Sequence, residues 1–134
     1  MNIFTGKYGR QGEPGVSGAS HILTYPAGEI LSGHRMVVLN DGEAFYADST
    51  TLNHANRVVG MTTGAAMLGV DVSIHTEGEI TEPSWGWVLN TPVWLGLDGL
   101  LTQVVPTSGF SLIIGFPLSA VKLFISIREP IFLT

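Results

Sequence analysis

The chain reads as all-β: a small antiparallel β-sandwich or barrel, jelly-roll-like in outline, homotrimeric and preceded by an extended Gly-X-Y segment. Three observations lead there. From His21 onward, short apolar runs alternate with Gly, Pro and Asn-Asp-Gly punctuation, and no stretch of useful length holds a helical period. Near the start, glycine occupies every third position, at Gly6, Gly9, Gly12, Gly15 and Gly18, framing unbroken triplets up to Ser20. Finally, hydrophobic residues make up 45% of the chain and charged residues only 13%, so a small domain carries more apolar side chain than it can bury alone.

The glycine run speaks about partners. A collagen triple helix places three chains around an axis where only glycine fits, so the repeat predicts a trimer. A wound stem of this length would be about 45 Å long at about 3 Å per residue. Only Pro14 fills an X or Y slot, so the run is poor in the imino acids that stiffen such helices. An extended tether therefore stays open as the second reading. Residues 1–20 are assigned as an N-terminal anchor and stem, and residues 21–134 as the β trimerisation domain. Ile3 and Phe4 are the apolar pair at the tip, with Lys7, Tyr8 and Arg10 close behind them. A tip bearing Ile3 and Phe4 suits an anchor into another protein; a disordered terminus is the alternative.

Elements follow in order along the domain. Ile22–Tyr25 is a short strand closed by Pro26-Ala27-Gly28. Arg35–Leu39 and Ala44–Ala47 flank Asn40-Asp41-Gly42, a hairpin signal. Thr51–Ala55 suits one helical turn, and Arg57–Thr63 a further strand. Val70, Val72 and Ile74 alternate with Asp71, Ser73 and His75, the clearest period of two in the chain. Glu77-Gly78-Glu79 turns the chain toward Ile80, and Pro83–Asn90 is a loop carrying Trp85 and Trp87. Pro92–Leu95 and Leu100–Thr102 flank the Asp98-Gly99 turn. After a Pro106–Gly109 loop come strands Phe110–Phe116 and Val121–Ile127, joined through Pro117–Ala120, and a last strand Ile131–Leu133.

Chemistry is sparse. The net charge of −5 and the lack of a Lys/Arg cluster argue against nucleic acid as a partner. No cysteine is present, which removes disulfides, thiolate metal sites and thiol nucleophiles. No signal peptide and no membrane-spanning apolar run are visible, so synthesis in the cytoplasm is expected. Asp71, Ser73 and His75 supply the residue types of a triad. Two-residue spacing on a strand holds their side chains parallel, however, and a polar outer face is the expectation. His21, His34, His54 and His75 show no metal-ligand spacing, although a three-fold axis can gather three copies of His21 around an ion. Glu77, Glu79 and Glu82 read as a solvated turn. Trp85 and Trp87, with Trp94 nearby, fit subunit or partner contact, core packing or sugar stacking. No nucleotide-binding or nucleophile motif appears, so neither a cofactor nor an enzyme is expected.

Several pieces resemble a β-rich module of tailed-bacteriophage structural proteins: capsid decoration (cement) proteins, head fibres and tail-fibre segments. They are Ala27-Gly28-Glu29 with Leu31–Arg35, then Arg57–Ala66, Val72–Glu79, Val93–Gly96 with Asp98–Thr102, and Glu129-Pro130-Ile131. The pieces span about four fifths of the chain, and their order is more specific than any one of them. In such proteins the module often follows a collagen-like stretch. The resemblance implies a homotrimeric virion protein on the capsid surface that binds the major capsid protein at three-fold or quasi-three-fold sites, with Ile3, Phe4, Lys7, Tyr8 and Arg10 as the expected docking set. It carries over no catalytic residues. A receptor- or glycan-binding domain of a phage tail fibre is the alternative, and the short stem weighs toward the compact decoration protein.

Overall fold

The computed structural model describes residues 21–133, and their architecture grows from local turns. Strand β1 spans Ile22–Pro26, β2 Met36–Asn40, β3 Glu43–Tyr46, β4 Val58–Thr62 and β5 Asp71–His75. Between β2 and β3 the chain reverses in two residues, with Asp41 at φ 52° and Gly42 at φ 77°, and Asn40 pairs with Glu43. Both central residues take positive φ, as a twisted hairpin requires, which is why Asp-Gly marks the turn so legibly. The five strands form one antiparallel sheet in the order β1-β5-β4-β2-β3. Leu52–His54 makes a single 3-10 turn, and no α-helix occurs among the described residues.

The chain then builds a second sheet. Strand β6 spans Gly78–Thr81, β7 Val93–Leu95, β8 Leu101–Thr102, β9 Phe110–Ser111, β10 Ile113–Ser119, β11 Lys122–Ile125 and β12 Ile131–Phe132. The second sheet has the order β6-β11-β10-β7-β8, while β9 pairs with β12 alone. The structure is therefore all-β and antiparallel, with two five-stranded sheets sharing a core. Its strand order is not that of a jelly roll. A jelly roll deals successive strands to both sheets, whereas here β1–β5 stay in one sheet and none of β6–β12 joins it. Short hairpin connections within each half, such as Asp41-Gly42 and Ala120-Val121, keep sequential strands together.

Three expectations about individual strands are corrected as well. Phe110–Phe116 is not one strand. Phe110, Leu112 and Ile114 do share a buried face, but the backbone changes partner at Leu112. The Phe110 N–H donates to the Ser49 carbonyl, and the Leu95 N–H donates to the Leu112 carbonyl. Pro117–Ser119 is not a connection but the end of β10, with Pro117 opposite Leu123 and a register shift before Ser119. Proline fits because β7 pairs with β10 only at Ile113 and Gly115, so no ladder bond is demanded on that side. The alternation around β5 starts at Asp71. Val70 closes a turn, its N–H donating to the Met67 carbonyl, and its side chain is exposed.

Burial shows what holds the halves together. Met36, Val38 and Met61 of the first sheet meet Val93, Leu95, Ile114, Leu123 and Ile125 of the second, joined by Phe110 and Leu112. A separate cluster lies on the other face of the first sheet, where Val37, Ala44, Val72 and Ile74 are covered by Ala27, Leu31 and Ala66. Ala27 bridges to Ala44, and the Gly28 N–H donates to the Ala44 carbonyl, so the chain leaving β1 crosses to the opposite edge at β3. That crossing gives the first sheet a partly closed, barrel-like curl. Small side chains at the crossing let the backbones approach.

The tightest approach in the second sheet is at Gly115, where an added Cβ would press on the Phe124 carbonyl oxygen across the β10–β11 pair. Gly115→Ala should therefore destabilise by about 1–3 kcal/mol through overpacking. Ile114→Ala, next to it and fully buried, should cost about 2–5 kcal/mol by leaving a cavity. Urea unfolding of both variants checks these values, and equal stability of Gly115→Ala and the parent would contradict the close approach.

Candidate interaction surfaces

The tryptophan loop is fixed from several sides. Between β6 and β7 the Glu82 N–H donates to the Val121 carbonyl, the Trp85 N–H to the Glu82 carbonyl and the Trp87 N–H to the Ala120 carbonyl. Gln103 clamps its far end: Oε1 accepts from the Val88 N–H, and Nε2 donates to the carbonyls of Val88 and Thr91. Trp85 and Trp87 are half-buried against the intersheet core, with ring centroids 5.3 Å apart and tilted by 48°. The His34 ring meets Trp85 edge-on at 5.6 Å, and His34 Nδ1 lies 3.9 Å from Glu82 Oε1. His34 sits at φ 58°, outside the usual range for a side chain of its size. Buried Thr62 supports that conformation: its carbonyl accepts from the His34 N–H, its hydroxyl donates to the Ser32 carbonyl, and its Oγ1 accepts from the Arg35 N–H. Trp87 Nε1 is buried without a hydrogen-bond partner among the described residues. Trp94 is half-buried in β7, opposite Ile113 and Thr102.

The titratable groups are dispersed. Glu77 lies 3.8 Å from His21, Glu79 lies 3.5 Å from Lys122, and Glu82 faces His34. Hydrogen bonds from the Ser84 hydroxyl and N–H hold the Glu82 carboxyl below its ordinary value, against the opposing pull of desolvation. Among the described residues no three His, Asp or Glu side chains are placed to hold a metal ion. Asp71 and Ser73 are exposed and His75 is half-buried, along the outward face of β5. His21 starts the described chain, its carbonyl accepting from the Thr76 N–H and hydroxyl. The stem glycines Gly6, Gly9, Gly12, Gly15 and Gly18, and the expected docking residues Ile3, Phe4, Lys7, Tyr8 and Arg10, lie outside the described residues.

Asp48 is the polar hub that sequence reasoning passed over. Its Oδ1 accepts from the Thr50 N–H at 2.9 Å and from the Thr50 hydroxyl, and its Oδ2 accepts from the Asp98 N–H at 3.1 Å. Its own N–H donates to His54 Nδ1 at 3.1 Å. One side chain thus ties the loop after β3 to the Asp98-Gly99 turn of the other sheet. The signal was present as Asp-Ser-Thr, since an Asp followed two residues later by a donor favours a local side-chain turn. Burial pushes the Asp48 carboxyl up, but the bonds from Thr50 and Asp98, with the nearby His54, outweigh it and leave the value lowered. His54 is pushed down chiefly by burial and also by the Arg57 charge, with Asp48 opposing.

Among the described residues many large apolar side chains are exposed, and two sets of them lie close to the sheet ends. Ile30, Met67 and Leu68 are 63%, 64% and 65% exposed, and Val70 is exposed beside them. The Leu31–Ala66 bridge and the bond from the Gly69 N–H to the Ala27 carbonyl bring their segments together. At the end of the second sheet, Leu97, Leu100, Val104 and Val105 with Pro106 line an open groove of about 500 Å³. No helix among the described residues is long and apolar enough to cross a membrane.

Asp48→Asn should lower stability at neutral pH. The contribution of a carboxylate with a lowered folded value is complete above the ordinary aspartate value of about 3.9 and is lost as pH falls through the lowered one. The stabilities of parent and variant should therefore converge in acid, which urea unfolding across pH reads directly; a constant difference would exclude the ionised Asp48 as the cause. No protein-family model matches the chain and no curated protein matches it, so the resemblance to phage decoration proteins rests on the sequence pieces alone.

Proposed function

We propose that the chain is a virion structural protein, a homotrimeric capsid decoration protein or short head fibre at three-fold or quasi-three-fold sites of a phage head. The observation that carries this reading is the join between stem and domain. The glycine triplets end at Ser20, and His21 leads directly into β1, an edge strand of the first sheet. A three-chain stem would thus deliver three copies of one sheet edge to a common axis. The exposed group of Ile30, Met67, Leu68 and Val70 lies by the far end of β1. It supports the reading as apolar surface that a trimer could bury. Three docking tips on one particle act together through high effective concentration, so contacts that are weak singly suffice to hold it.

The major capsid protein is the proposed partner, through Ile3, Phe4, Lys7, Tyr8 and Arg10, and the proposal contains no catalytic step. The tail-fibre alternative placed its glycan contacts at Trp85 and Trp87. Half-burial of both rings against the core gives it less support.

Light scattering of the purified protein should return about 43 kDa, three chains of 14.3 kDa. Leu68→Asp combined with Met67→Asp should shift it toward a single chain, since like charges would face one another around the axis. A parent protein that stays monomeric when concentrated would defeat the trimer. Separately, deleting residues 1–10 should abolish co-sedimentation with capsids while leaving the trimer folded. Capsid binding that survives the deletion would move the docking site into the β domain.

A further inference from the structure

The described residues also hold a polar cleft that no part of the assembly role uses. It lies beside the β2–β3 hairpin and has a volume of about 420 Å³, within the range of small-molecule sites. Half-buried Phe45 supplies its apolar wall, while its cross-strand partner Val38 is buried in the intersheet core. Around them stand Glu29, Asn40, Asn53, His54 and Arg57, drawn from three separate segments of the chain.

Local bonds hold several of these groups in place. Glu29 Oε2 accepts from the Tyr46 N–H at 2.9 Å, which fixes the carboxylate beside the hairpin. Arg57 Nη2 donates to the Leu39 carbonyl at 3.1 Å, anchoring one corner of the guanidinium. His54 Nδ1 accepts from the Asp48 N–H, so the ring carries its proton on Nε2 and offers a donor there. Asn40 and Asn53 are exposed and each can donate and accept. Glu29 and Arg57 bring one formal charge of each sign, and a neutral His54 adds none. A phosphate or other strong anion finds no excess of cations in this cleft.

We infer that this cleft binds a neutral sugar, as one or two residues of a glycan. Sugars present adjacent hydroxyls that donate and accept, together with an apolar C–H face. The cleft offers the complement: a carboxylate and two carboxamides for the hydroxyls, donors on Arg57 and His54, and Phe45 for the C–H face. The site is distinct from Trp85 and Trp87, for which sugar stacking is one of three readings beside subunit or partner contact and core packing. It does not depend on the virion reading, because capsid docking and trimer mass are measured separately from sugar binding.

The test uses the full-length protein titrated with glucose, galactose, N-acetylglucosamine and lactose by saturation-transfer NMR and calorimetry, with sialyllactose as the anionic arm. At least one neutral sugar should bind with a roughly millimolar Kd, as expected for so small a ligand. Asn53→Ala and Arg57→Ala, both at exposed positions, should each weaken binding by about tenfold or more. Oligomer mass should stay unchanged in both, and melting temperature in Asn53→Ala, which breaks none of the bonds that fix the cleft. Absence of binding by all four neutral sugars would overturn the inference. So would binding of sialyllactose alone, or neutral-sugar binding that both variants retain at full strength.

Discussion

Both faces of the first sheet must be covered, and most of the architecture answers that demand. Met36, Val37 and Val38 are consecutive and all buried, which a strand can achieve only with packing on either side. The second sheet covers Met36 and Val38. The chain itself covers Val37, by crossing from β1 to the β3 edge and returning through the segment around Ala66. The intersheet core and the barrel-like curl are thus two consequences of one apolar strand.

That second cover has a cost that points outward. A crossing made of Ala27, Leu31 and Ala66 buries a narrow strip, and the flanking Ile30, Met67 and Leu68 are left in solvent. A chain with this much apolar surface gains by associating, which is why the proposed trimer and the fold are parts of one argument. In the proposed trimer the glycine triplets would supply the three-fold symmetry.

Polar groups act elsewhere, pinning loops that the core cannot reach. Thr62 holds the Ser32–Arg35 segment and with it His34 against Trp85. Asp48 joins the loop after β3 to the Asp98 turn and orients His54. The walls of the polar cleft are steady because these bonds, together with those of Glu29 and Arg57, fix their backbone. Loops so constrained present side chains in defined places, as recognition needs.

Turn chemistry was legible in the chain as written. Asn40-Asp41-Gly42 and Asp98-Gly99 announce positive-φ turns, and the structure places Asp41, Gly42, Asp98 and Gly99 at φ 52°, 77°, 50° and 73°. The buried pair Val72 and Ile74, the single turn at Leu52–His54 and the all-β class were legible for the same reason: each depends on neighbours a few residues away. Tertiary structure alone decided the rest. Phe110–Phe116 looks like one strand because burial parity runs through it, yet its backbone partners come from Ile131–Phe132 on one side of Leu112 and from Val93–Trp94 on the other. Pro117 lies in a strand because its neighbour ends early, and Trp85 packs inward because His34, far away in sequence, meets its ring. The sheet order and the cleft likewise depend on which distant segments come to lie side by side. Local propensity encodes where a chain turns; the partner of each strand is chosen only when the whole apolar surface is buried at once.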